Sequence, residues 1–276
     1  MKRKIFIYIG LLLVTVFAGT LVILISKAIG IDPKTLKVSQ SNLSYSRFLI
    51  GIMFSSIIIG SIYFVQRRIL NSKFQDLGFL PKFLENIVIG LGIGILLALI
   101  VRFINIALAQ NVTFEWTIPD TISKLNLFLY YSVFLFIVIL NSFQEELLFR
   151  AFPLELFKKS NISIFYVLIG TSFIFSIVHN MTEPFSFLAF CTRFLMGFFL
   201  SLVYLESNSI WRIIGIHSGL NWTVWSMTGN WEMGGLTKLT INSQYNGQFT
   251  NLIVLLFVIL IYWYLNKEKL PPLPQV

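Results

Sequence analysis

The sequence predicts an all-α fold: a polytopic membrane protein of about eight transmembrane helices that enclose an intramembrane polar site. Of the 276 residues, 56% are hydrophobic and only 12% are charged, a balance outside the range of ordinary soluble domains. Long apolar runs recur along the chain, each near the roughly 20 residues that a helix needs to cross a bilayer. We expect residues 1–276 to form a single membrane domain.

The first predicted span is an uncleaved membrane anchor. A basic tetrapeptide, Met1 to Lys4, precedes the apolar run from Ile5 to Ile25. This run is too long for a signal peptide, and no clear small-residue cleavage site follows it. Seven further apolar segments complete the eight, at about 48–65, 84–109, 127–144, 163–179, 186–204, 210–227 and 250–266. The polar stretch from Gly229 to Asn251 is predicted to be the longest outer loop.

The basic residues of the connections predict the orientation of the chain. If the spans alternate in direction, one side of the membrane receives Lys2, Arg3, Lys4, Arg67, Arg68, Lys73, Lys82, Lys158, Lys159, Arg212, Lys267 and Lys269. The positive-inside rule makes this side cytoplasmic. The other side has basic residues in its first connection, which weaken the bias without reversing it: Lys27, Lys34, Lys37 and Arg47. We therefore expect a multi-pass protein of the cell membrane with both termini in the cytoplasm.

Several classes of function are not indicated. The net charge of +9 is scattered among loops and forms no basic patch, so no nucleic acid partner is expected. The single cysteine, Cys191, lies in an apolar segment, which rules out a disulfide framework or a thiolate metal cage within one chain. Gly90 to Gly94 superficially resembles a phosphate-binding loop, but no strand precedes it. The spacing of Gly90 and Gly94 instead predicts close packing between helices.

Two adjacent acids and an arginine follow the apolar run from Leu125 to Leu140. Because a charge at the centre of a membrane helix costs roughly 2.5–3.5 kcal/mol, such residues are functional candidates. Glu146 and Arg150 are four residues apart with the acid first, which favours a helical ion pair. Glu145 points about 100° away and has no such counter-ion, so it is suited to take and give protons. The alternative is that all three are interfacial charges solvated by headgroups and water.

The protein has only two histidines, His179 and His217, and both lie in apolar spans. Phe175 precedes His179 by four residues, and Asn221 follows His217 by four, so each pair shares a helix face. Counted from the connections at ~1.5 Å per residue, Glu145, His179 and Asn221 lie at heights of about 20, 24 and 20 Å. The polar groups can therefore meet inside the membrane.

Other intramembrane protease chemistries lack their residues here. An aspartyl protease needs two buried aspartates, whereas Asp32, Asp76 and Asp120 all lie in connections. The zinc motif His-Glu-x-x-His does not occur. The segment from Gly215 to Gly219 has one residue too many for the Gly-x-Ser-Gly turn of a rhomboid serine protease. A site of carboxylates and histidines remains.

Three ordered motifs resemble the CPBP family, the CAAX proteases and bacteriocin-processing enzymes, which are glutamic intramembrane endopeptidases. The motifs are Glu145-Glu146-x-x-x-Arg150, Phe175-x-x-x-His179 and His217-x-x-x-Asn221. The segments Leu77-Gly78-Phe79 and Ser209-Ile210-Trp211 are also similar to family sequence. One departure is Ala151, where the family commonly has glycine.

The resemblance implies a role for each residue of a catalytic core at about 127–227. Glu145 and His179 would activate a water molecule, and His217 and Asn221 would form an oxyanion hole. Glu146 and Arg150 would support the site. The implied substrate is a peptide or a membrane-associated protein, and neither a cofactor nor a metal is implied.

Three other hypotheses remain open at this point. The first is a zinc-dependent membrane hydrolase, because two histidines, a carboxylate and a water would satisfy a catalytic zinc site. A second is a non-enzymatic bacteriocin-immunity or scaffold protein that keeps the motifs as a packing cluster. A third is a transporter in which Glu145 and His179 relay protons. The sequence has no visible inverted repeats, which argues against a transporter.

Overall fold

The computed structural model describes residues 1–28, 46–118, 122–158, 160, 162–181, 185–227, 235–242 and 247–270. Some features of the sequence analysis lie outside these ranges: Asp32, Lys34, Lys37, Asp120, Lys159 and parts of the predicted outer loop 229–251.

The described chain is predominantly helical, and each of the eight predicted spans coincides with a helix. The helices are α1 (Lys2–Ala28), α2 (Ser46–Phe64), α3 (Phe83–Ala107), α4 (Lys124–Glu146), α5 (Phe152–Lys158), α6 (Ile164–Asn180), α7 (Phe187–Ser207), α8 (Ile210–Met227) and α9 (Gly247–Asn266). Among the described residues, six helical segments are long and apolar enough to cross a membrane, and α6 and α8 are not among them. The polytopic helical class is therefore confirmed, whereas the count of eight spans is not.

Two short strands depart from a purely helical fold. β1 (Asn111–Trp116) directly follows α3, and β2 (Thr237–Asn242) precedes α9. The strands pair antiparallel, with Asn111 opposite Asn242 and Trp116 opposite Thr237. Both are rich in the β-branched and aromatic residues that favour strands. The sheet therefore joins the neighbouring ends of α3 and α9, and β2 occupies part of the stretch that was predicted to be a loop.

The helix that carries the acidic motif continues past it. α4 and α5 are joined by a π-helical turn, Leu147–Ala151, so that one helix of 35 residues extends from Lys124 to Lys158. Pro153 lies just after this turn and has no N–H to donate to the helix. A wide turn of this kind is a common way to accommodate such a break. Arg150 belongs to the π turn, so its direction depends on this local geometry.

Glycines bring α3 and α8 into backbone contact. A Cβ atom added to Gly90 or Gly94 of α3 would overlap the backbone of α8, and one added to Gly215 or Gly219 would overlap the backbone of α3. The interpretation of Gly90 and Gly94 as packing residues is thus confirmed. His217 lies between the two glycines of α8, and the close contact fixes the position of its helix.

The two minor segments of the family resemblance contact each other. The Ile210 N–H donates to the Gly78 carbonyl oxygen at 3.0 Å, and Gly78 has the left-handed φ of 83° that glycine tolerates. The Phe79 and Trp211 rings are 5.2 Å apart, and Phe143 lies 5.8 Å from Phe79 and 5.9 Å from Trp211. This aromatic cluster ties the start of α8 to α4 two residues before Glu145.

Several helix ends with basic residues lie on one side of the structure. Lys4 Nζ donates to Ser160 Oγ at 2.9 Å, which joins the N-terminus to the connection between α5 and α6. Near the other terminus, Glu206 Oε1 accepts from Lys269 Nζ at 2.9 Å, and Glu206 Oε2 lies 3.9 Å from Arg212 Nη1. These contacts agree with the alternation of spans from which the orientation was predicted.

Candidate active site

Glu146 is fully buried and has two charged or ionisable partners. Its Oε1 accepts from Arg150 Nη1 at 3.2 Å and from His217 Nδ1 at 2.6 Å. The ion pair with Arg150 is the one that the spacing predicted. The bond to His217 was not predicted, because it connects residues 71 positions apart. Glu146 thus links the long helix to α8.

Arg150 is also fully buried, and helices α6 and α7 enclose it. Its Cζ lies 4.1 Å from the centroid of the Phe175 ring, a distance at which the ring face attracts the cation. A Cβ on Gly197 of α7 would come within 2.9 Å of Arg150 Nη2, so a larger residue there would require the guanidinium to move. Phe175, the first residue of the second motif, therefore contacts Arg150 directly.

Glu145 faces the two histidines. Its Oε2 lies 3.4 Å from His179 Nε2 and 3.8 Å from His217 Nε2. Its other oxygen, Oε1, accepts from Asn141 Nδ2 at 2.8 Å. Glu145, His179 and His217 therefore come together as the helix heights predicted.

Two amides of α4 hold Glu145 and were not identified from the sequence. Gln144 Nε2 donates to Asn141 Oδ1 at 2.9 Å, and Asn141 in turn donates to Glu145. The four-residue spacing of Asn141 and Glu145 is the signal that would have found this contact. The amides fix the carboxylate without neutralising its charge.

The hydrogen bonds of the imidazoles set their tautomers. His179 Nδ1 lies 2.8 Å from the Phe175 carbonyl oxygen, and since a carbonyl only accepts, this nitrogen carries a proton. His217 Nδ1 likewise carries a proton, because it faces the carboxylate of Glu146. In a neutral imidazole of this form the lone pair is on Nε2. Two Nε2 atoms and one carboxylate oxygen therefore converge, an arrangement that a shared proton or a donating water stabilises.

Asn221 lies apart from this cluster. It is half-buried on α8, one turn and about 6 Å beyond His217 along the helix axis. The hydrogen bonds described above do not include it. Of the four residues predicted to be catalytic, three are in direct proximity, and Asn221 lines the same helix face further on.

A cavity of about 220 Å³ reaches Glu145 and His179. Thr15 of α1 and Phe54 and Ile58 of α2 form one of its walls. The first two helices carry none of the sequence motifs, and their presence at the site was not predicted. The cavity is mostly apolar, which suits an apolar part of a ligand next to the polar cluster.

The zinc hypothesis gains no support from the geometry. In the described part of the chain, no group of three or more His, Cys, Asp and Glu side chains is arranged to hold a metal ion.

The fold and the site define a class: a polytopic helical membrane protein in which two glutamates, an arginine and two histidines meet among apolar helices. Residues 127–223 match the family described as type II CAAX prenyl endopeptidase Rce1-like. This match confirms the resemblance of the segment to the CPBP and CAAX protease family. The match indicates a peptidase and supports an intramembrane protease of the CAAX type. No curated protein and no solved structure matches the chain.

Replacing Glu146 by glutamine is expected to destabilise the protein strongly. The change leaves Arg150 without its carboxylate in a buried place, and breaking such a pair costs about 3–5 kcal/mol. Thermal unfolding in detergent measures the loss. The double variant Glu146→Gln/Arg150→Met should recover part of it, because neither charge remains.

Glu155→Gln on the same long helix is the matched control for this variant. Glu155 pairs with Lys158 at 3.5 Å near the surface, and exposed pairs contribute about 0–1 kcal/mol. Equal unfolding temperatures for Glu146→Gln and Glu155→Gln would contradict a structural role of the buried carboxylate.

Proposed function

We propose that the protein is a metal-independent glutamic endopeptidase that hydrolyses a peptide bond of a membrane-associated peptide or protein. The observation that carries the proposal is the convergence of Glu145 Oε2 with His179 Nε2 at 3.4 Å and His217 Nε2 at 3.8 Å. All three residues lie within the segment that matches the protease family.

Glu145 and His179 would together act as the general base. A water molecule that donates to Glu145 Oε2 and His179 Nε2 is positioned to lose a proton to this pair as its oxygen attacks the peptide carbonyl. The proton would then pass to the leaving amine. A positioned base of this kind contributes typically about 10²–10⁴-fold to the rate. The bond from His179 Nδ1 to the Phe175 carbonyl holds the imidazole in the required tautomer.

His217 and Asn221 would stabilise the oxyanion that forms on the attacked carbonyl. His217 would donate from Nε2 in its doubly protonated form, in which Nδ1 donates to the Glu146 carboxylate at 2.6 Å. Asn221 would offer its side-chain amide from the next turn of the same helix face. Loss of one oxyanion donor typically costs about 10²–10³ in rate. Glu146 and Arg150 would act through His217 rather than on the substrate.

The location follows from the same proposal. A multi-pass membrane protein with basic residues at one set of helix ends is expected in the cell membrane with both termini in the cytoplasm. The connection between α5 and α6 would then face the cytoplasm. The two-stranded sheet would lie at the opposite side.

Glu145→Gln should remove activity and leave the fold intact. Glutamine keeps the shape and can still accept from Asn141, but it does not take a proton, so the rate should fall by about 10²–10⁴-fold. The measurement is release of peptides from membranes that contain the protein, followed by mass spectrometry, together with the unfolding temperature. Glu155→Gln, on the same helix and outside the cluster, should retain full activity. Unchanged activity in Glu145→Gln would leave the polar cluster as a packing feature only.

Activity should survive complete removal of divalent metals. The geometry offers a glutamate and histidine pair as the base, and neither step above needs a Lewis acid. Purified protein treated with a strong chelator and then dialysed should release peptides at the untreated rate. A loss of activity that zinc alone restores would establish the zinc hydrolase instead.

A cysteine at position 158 should be protected in intact cells. In a variant with Cys191 removed, Lys158→Cys places an exposed thiol at the side that carries the excess of basic residues. A membrane-impermeant thiol reagent should react with it only after the cells are opened. Val112→Cys, exposed on β1, is the control at the opposite side and should react at once. The reverse pattern would invert the topology.

A further inference from the structure

A second cavity lies away from the candidate active site. It has a volume of about 380 Å³, is bounded by α3, α7, α8 and α9, and shares no lining residue with the cavity at Glu145. Five polar side chains line it: Arg102, Asn105, Thr192, Gln248 and Asn251. The mechanism proposed above uses none of them.

Arg102 gives this cavity a positive charge. It is half-buried in α3, and among the described residues no carboxylate forms an ion pair with it. A guanidinium in a membrane helix is costly, and a bound anion would offset this cost. Since the lining contains no acidic side chain, nothing in it would repel an anion.

Polarity changes with depth in the cavity. Asn105 is two residues from the end of α3, Gln248 is the second residue of α9, and Thr192 is the sixth residue of α7. The lining residues one or two turns deeper are apolar, namely Leu97, Met196 and Leu255. A ligand that fits this gradient has a polar anionic end at the membrane interface and a hydrocarbon chain that points inward.

Asn251 adds a requirement for a hydrogen-bond donor. Its Oδ1 is buried and has no hydrogen-bond partner in the described part of the chain. Burying an amide oxygen without a partner is unfavourable. A hydroxyl group on the ligand would satisfy it. The phosphodiester of a lipid would not satisfy it by itself, since its oxygens only accept.

We propose that this cavity binds one anionic phospholipid with a hydroxyl-bearing headgroup. The phosphate pairs with Arg102, and a headgroup hydroxyl donates to Asn251. The acyl chain lies along Leu97, Met196 and Leu255. The site is separate from the catalytic cluster, so it exists whether or not the protein is a protease.

The test measures lipid binding to the detergent-solubilised full chain by native mass spectrometry, with phosphatidylglycerol as the probe. A diacylglycerol with the same acyl chains lacks the phosphate, and phosphatidylcholine lacks the hydroxyl and the net charge. We expect phosphatidylglycerol to bind at least about tenfold more tightly than either, since one charge-assisted hydrogen bond contributes about 1.5–3 kcal/mol. Equal binding of all three lipids would overturn the proposal.

Two variants locate the site. Arg102→Gln should lose the preference for phosphatidylglycerol, whereas Arg67→Gln, which removes an exposed arginine from the end of the second helix, should retain it. Asn251→Asp keeps the volume of the side chain and places a negative charge near the phosphate, so it should also weaken binding. The unfolding temperature without lipid shows that each variant is folded. Unchanged binding in a folded Arg102→Gln or Asn251→Asp variant would overturn the proposal, as would tighter binding of laurate than of phosphatidylglycerol.

Discussion

The buried carboxylate of Glu146 constrains the rest of the site. An ionised group with no solvent exposure is stable only when its partners are fixed, because its desolvation costs several kcal/mol. Glu146 takes one partner from its own helix, Arg150, and one from α8, His217. Arg150 in turn needs the ring of Phe175 and the space above Gly197. A single charge thereby sets the relative positions of α4, α6, α7 and α8.

The two neighbouring glutamates lie in different surroundings because the helix turns by about 100° between them. One turns toward Arg150 and has no exposure. The other, Glu145, has a side chain that is 15% exposed and borders the cavity that α1 and α2 enclose. The first is held in a buried ion pair, whereas the second faces a cavity and two histidines. The bond from His217 Nδ1 to Glu146 also orients this imidazole so that its Nε2 faces Glu145.

The helices and the central ion pair could be predicted from the sequence because they depend on local spacing. The apolar runs predicted a helix at each of the eight spans. The four-residue separation of Glu146 and Arg150 predicted their contact. Counting residues from the connections brought His179 near Glu145. The bond between Glu146 and His217 could not be predicted in the same way, because it depends on the rotation of α8 against α3. That rotation is fixed by Gly215 and Gly219, whose spacing the sequence analysis had considered only as a protease turn. The strands were missed because each has six residues and follows or precedes a long helix.

The polar groups of the candidate site and one wall of its cavity come from different segments of the chain. Every group that would act on a peptide bond lies within residues 127–223, the part that matches the protease family. Thr15, Phe54 and Ile58, which face the Glu145 cavity, lie before it. The first two helices thus contribute one wall of the cavity, while the segment that matches the protease family supplies the carboxylates and imidazoles beside it.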